Sequence, residues 1–221
     1  MLCLGGCAME VPATGDGSEP PDEAVGDSPA DAPGVTADEA APAGAAPEDE
    51  PVDRVARALE YGLSLVGTPY GWWYDGPLPP SAPMWTASGA APNAAVVRAE
   101  SANCTGLTNL MLRSVGAPMP ETVDGGRGGT YSYHHALADV AQPFDVDADY
   151  PPGTLLGRAY RDTFDQGHVA VVLPDGHVLQ SFAWERDATA PGVNATYTVA
   201  ESDDGGFYEY AVLPQDWLGR D

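Results

Sequence analysis

HVAVVLPDGHVLQSF, residues 168–182, reads as two strands folded back on a tight turn. Pro174-Asp175-Gly176 supplies the turn, and runs of β-branched and apolar residues flank it on both sides. With the turn there, Val171 and Leu179 fall close to register. His168 and Gln180 are both at even positions, so they share a sheet face if no odd bulge intervenes. His168 is conspicuous as a polar ring at the mouth of an otherwise apolar strand.

Further strands surround this hairpin in the sequence. GTLLGRAY (153–160) is a candidate strand, and FYEYAVL (207–213) alternates with period two. Helices come earlier in the chain. In DRVARALEYGLSLVG (53–67), Val55, Leu59, Leu63 and Val66 recur at helical spacing, with Asp53 as N-cap, Gly67 just past the end and Pro69 as a stop. In CTGLTNLMLRSVG (104–116), Leu107, Leu110, Met111 and Val115 share one face, and Gly116 ends the helix. A short helix around YHHALADVA (133–141) is a further option. A long Pro-, Gly- and Trp-rich loop occupies 68–93, and a second loop, dominated by Gly and Asp, occupies 119–130. Helices first and an antiparallel sheet afterwards predict an α+β domain over residues 52–221.

Residues 8–51 differ in kind. They contain no Arg, no Lys and no aromatic residue, and are built from Ala, Pro, Gly, Asp and Glu. Twelve of the 33 acidic residues lie before position 52, all nine Arg lie after it, and Lys is absent. Tail and domain therefore each carry a net charge near −12. The tail has too little apolar surface to offset the entropy of ordering, and is expected to be a disordered, extended linker. So acidic a chain lacks the basic patches that nucleic acid or anionic lipid requires. In residues 1–7, Leu4-Gly5-Gly6-Cys7 resembles a bacterial lipobox. That resemblance implies acylation of Cys7 and an extracytoplasmic domain tethered to a membrane, although no basic n-region precedes it.

Cys104 is the third cysteine and stands alone in the domain, which excludes a disulfide framework and a cysteine-based zinc site there. Placed at a helix N-terminus, it sits where free N–H groups and the helix dipole favour a thiolate. The same N–H groups suit an oxyanion. The plain alternative is a small buried hydrophobe. A nucleophilic cysteine needs a base and an orienting polar group. Of the four histidines, His134 and His135 lie in a Tyr-rich segment, and His177 adjoins a turn. His168 is the best placed, with Gln180 twelve residues on. A metal site from His134, His135 and nearby acids is disfavoured, because adjacent residues of a strand point to opposite faces; no metal or cofactor is expected.

The motifs Gly67-Thr68-Pro69-Tyr70-Gly71-Trp72, Asn103-Cys104-Thr105-Gly106-Leu107, Pro152-Gly153-Thr154 and Gly167-His168-Val169 follow one another in an order that resembles the NlpC/P60 family of papain-like cysteine peptidases. The resemblance spans most of residues 53–182. It implies N-terminal helices packed on an antiparallel sheet and cleavage of peptide stems in bacterial cell walls. Carried over to this chain, Cys104 is the nucleophile, His168 the base and Gln180 the residue that holds the imidazole. Tyr70, Trp72 and Asn103 border the oxyanion and substrate site. There are departures: Asn103 stands for the usual Asp, Thr105 for Ser and Trp73-Tyr74 for Gly-Gly, and 34 residues separate Tyr70 from Cys104. The expectation is a thiol hydrolase of amide or isopeptide bonds with a peptidoglycan peptide as partner. Two alternatives use the same scaffold: an acyltransferase, and a non-catalytic wall-binding module whose Cys104 reacts as an ordinary thiol.

Overall fold

A computed structural model describes residues 51–71, 90–120, 129–162, 165–183 and 191–220. The acidic stretch 8–51 up to Glu50, Cys7, Trp72 and most of the Trp-rich loop lie outside the described residues. The elements in chain order are α1 (Pro51–Ser64), α2 (Ala94–Ala99), α3 (Cys104–Ser114), α4 (Thr130–Ala136), β1 (Gln142–Pro143), β2 (Leu155–Arg158), β3 (His168–Val172), β4 (Val178–Phe182), β5 (Gly192–Asn194), α5 (Val199–Ser202), β6 (Tyr210–Val212) and α6 (Pro214–Trp217). No helix among the described residues is long and apolar enough to cross a membrane.

The strands form one antiparallel sheet in the order β1-β6-β2-β3-β4-β5, so the domain is α+β. The β3–β4 hairpin pairs Val171 with Leu179 and Ala170 with Gln180. α1 and α3 end on left-handed glycines, Gly67 at φ 90° and Gly116 at φ 69°, as their place after each apolar run predicts. α2 has no counterpart in the expectations. It is one short helix inside the long loop, capped by Asn93, whose side chain accepts from the Ala95 N–H at 2.9 Å.

Apolar residues cover both faces of the sheet. On one face Leu155, Val169, Val171, Leu179, Val193, Tyr210 and Val212 meet Ala58 and Leu59 of α1 and Leu107, Leu110 and Met111 of α3. The approach is close: a Cβ on Gly62 of α1 would lie 2.7 Å from Leu179 and 2.9 Å from Met111. On the other face Leu156, Ala170, Val172, Val178 and Ala211 gather with Tyr208, and with Phe144, Tyr150, Tyr197 and Phe207 at the margin. The period of FYEYAVL predicts Tyr208 and Tyr210 on the same face, yet the two belong to different clusters. The regular strand begins only at Tyr210. Upstream, Gly205 and Gly206 take positive φ, and the Tyr208 N–H is held by Asp203 Oδ1 at 2.8 Å, so the chain is still turning at Tyr208.

Candidate functional site

Cys104 is the first residue of α3. Asn103, in extended conformation at φ −90° and ψ −177°, caps the helix: its Oδ1 accepts from the Gly106 N–H at 2.7 Å and from Thr105 Oγ1 at 3.2 Å. Its carbonyl takes the Leu107 N–H at 3.0 Å. Asn103 is thus committed to the helix end and buried. Ser181 Oγ donates to the Ala102 carbonyl at 2.6 Å and so pins the start of α3 to β4. The Tyr70 segment runs alongside: Ala102 N–H donates to Pro69 O at 2.9 Å, and Gly71 N–H to Ala102 O at 3.4 Å. The backbone of Tyr70 therefore adjoins the residues just ahead of Cys104, although Tyr70 and Cys104 are 34 positions apart. Trp72 lies outside the described residues.

His168 and Gln180 meet. His168 Nε2 lies 3.1 Å from Gln180 Oε1, as their shared parity allows. Tyr208 Oη donates to the same oxygen at 3.4 Å, and Ser202 Oγ lies 2.8 Å from Tyr208 Oη. Since Oε1 can only accept, Nε2 carries the proton of the neutral ring. Aromatic rings surround the imidazole: Phe182 at 4.8 Å between centroids, Phe207 at 5.6 Å and Tyr208 at 6.4 Å. Arg158, the register partner of His168, places its guanidinium over Phe207. Burial pushes the His168 pKa down to about 4; the Gln180 bond opposes the shift and the Arg158 charge adds to it.

Strand parity sets this pair on the face opposite the one that α3 covers. His168 and Gln180 have the parity of Ala170 and Val178, which face the Tyr208 cluster, whereas α3 covers the face of Val169, Val171 and Leu179. Of the triad implied by the resemblance, His168 and Gln180 are joined by a hydrogen bond, while Cys104 opens a helix that packs on the other face of the sheet. Gly167-His168-Val169 enters the ladder one residue out of phase with the side that α3 covers. Cys104 itself is 3 % exposed and packs in the larger apolar cluster.

Two tyrosines share the larger apolar cluster with Cys104. Tyr133 of α4 is fully buried and donates its hydroxyl to Asn109 Oδ1 at 2.9 Å. Tyr210 lays its ring over Gly157: a Cβ on that glycine would be 1.9 Å from Cζ. Burial raises both phenol pKa values, and the Cys104 charge raises each further. His134 stacks on Tyr210, with centroids 5.5 Å apart. The sequence carried only a faint signal of this group: a lone glycine inside GTLLGRAY, which marks a place where a large side chain crosses a strand. A scan of the chain against protein-family models and a search among curated proteins find no match.

Proposed function

We propose that the domain is an NlpC/P60-like, papain-type module that holds a peptide of the bacterial cell wall without cleaving it through a Cys104–His168 couple. The observation that carries this reading is the His168–Gln180 hydrogen bond on the sheet face turned away from α3. Proton transfer needs hydrogen-bond reach, and an imidazole held on the opposite face supports a module that does not use the couple. The order of the Tyr70, Cys104 and His168 motifs supports the family, and the Trp-rich loop 72–89 suits a carbohydrate or peptide ligand. On this reading residues 8–51 are the tether from an acylated Cys7. A thiol hydrolase or acyltransferase remains the second reading, favoured by the position of Cys104 as the first residue of a capped helix.

The test is incubation of the full chain, and of Cys104→Ala, with insoluble peptidoglycan. Pellets are assayed for protein and supernatants for new amines by mass spectrometry. Both proteins should sediment with the wall and release nothing. New amines from the wild type alone would establish the hydrolase instead, and protein left in the supernatant would remove the wall as ligand.

A further inference from the structure

Three aromatic side chains gather at the surface where α4 meets the segment that follows β2. The rings of Tyr131 and Tyr160 lie 5.3 Å apart between centroids with their planes at 88°, and the His135 ring lies 4.1 Å from that of Tyr131. Both tyrosines are half-buried and His135 is exposed. Neither tyrosine belongs to the two apolar clusters that flank the sheet, so these rings do not serve to fill the core. Aromatic area grouped at a surface in this way marks a place where a ligand is met. The frame beneath the rings is firmly bonded. Tyr160 stands between Ala159, whose N–H donates to Glu209 Oε2 at 2.9 Å, and Arg161, which pairs with Glu209 and, at 3.2 Å, with Asp165. Asp165 also holds Arg158 at 2.7 Å, and its carbonyl accepts the Arg161 N–H at 2.9 Å. Thr130 Oγ1, one residue before Tyr131, donates to the Gln166 carbonyl and ties α4 to the approach to β3. The rings are therefore held in place before any ligand arrives, which spares a complex the entropy of ordering them.

We infer that Tyr131, Tyr160 and His135 form a stacking platform for a neutral sugar ring. The C–H face of a pyranose covers an aromatic ring, while the hydroxyls at its rim need polar partners. The tyrosines supply the apolar area, and Arg161 and Glu209 beside Tyr160 supply charged groups that hydroxyls can bond. Other stacking ligands fit less well. A nucleotide would bring phosphates to a domain with a net charge near −12. A cation would meet the Arg161 guanidinium next to Tyr160, and the nearby carboxylates of Asp165 and Glu209 are already paired with arginine. A neutral polyhydroxyl ring meets neither obstacle. The platform goes beyond the peptide reading above: it concerns the sugar alone and stands whether or not a wall peptide binds.

The test titrates the full chain with N,N′,N″-triacetylchitotriose, a soluble neutral trisaccharide, by isothermal calorimetry. Tyr131→Ala and Tyr160→Ala should each weaken binding about tenfold, whereas Tyr131→Phe, which keeps the ring, should bind within about twofold of the wild type. No binding by the wild type, or alanine variants that bind as it does, overturns the platform. A second measurement needs no variant. Modification of His135 by diethyl pyrocarbonate, followed by peptide mass mapping, should slow when the trisaccharide is present at millimolar concentration. Modification of His177, at the β3–β4 turn, should not. An unprotected His135, or equal protection of both histidines, would also overturn the platform. Failure to sediment with peptidoglycan leaves both soluble-sugar results in place, so the two readings fail separately.

Discussion

Replacing His168 by Gln should flatten the pH dependence of stability between pH 6.5 and 4. The folded imidazole titrates near 4, against an ordinary value of 6.5, because burial disfavours its charged form. In that window the unfolded chain binds a proton that the folded chain does not. Stability is therefore full above 6.5 and falls as the pH is lowered, levelling once the folded ring also protonates near 4. At ~1.4 kcal/mol per unit, a shift of this size amounts to about 3 kcal/mol in total. Little solvent screening discounts the figure, since the ring is almost wholly buried. Carboxylates such as Asp165, held low by Arg158, add their own acid sensitivity. The quantity to measure is accordingly the difference between wild type and variant in urea unfolding at pH 7.5, 6.5, 5.5 and 4.5. The wild type should lose about 3 kcal/mol more than His168→Gln across the series. Parallel curves would refute a neutral, desolvated imidazole bonded to Gln180.

Gly157→Ala should destabilise the domain by at least ~2 kcal/mol in the same assay, because its methyl would fall inside the Tyr210 ring and the overpacked site has to move a buried phenol. Asn103→Ala should cost about 1 kcal/mol by removing the acceptor for Gly106 N–H and lower the melting temperature. Asn103→Asp should restore that loss, since a carboxylate caps α3 at its positive end.

The hairpin was legible because its turn residues and parity leave one register, and the observed Val171–Leu179 pair is the one they imply. α1 and α3 were legible from helical spacing closed by Gly67 and Gly116. β1 and β5 have two and three residues, too few for any periodicity to show. α2 has six, and its Asn93 cap is set among prolines and alanines that read as loop. The face that His168 takes was not legible for a different reason. Parity tells which residues share a face but not which face a helix covers, and β3 is apolar on both sides: Val169 and Val171 towards α3, Ala170 and Val172 away from it. With no polar side to the strand, nothing local could assign His168 to the far layer. Only the packing of Met111 and Gly62 against Leu179 decides it.

The rate of Cys104 alkylation against pH, in the wild type and in His168→Gln, probes the separation of thiol from imidazole most directly. The predicted result is one rise towards alkaline pH, of the same midpoint in both proteins, because β3 keeps the ring from stabilising the thiolate. A reactive plateau between pH 5 and 7 in the wild type, lost in the variant, would contradict that result and restore the catalytic couple.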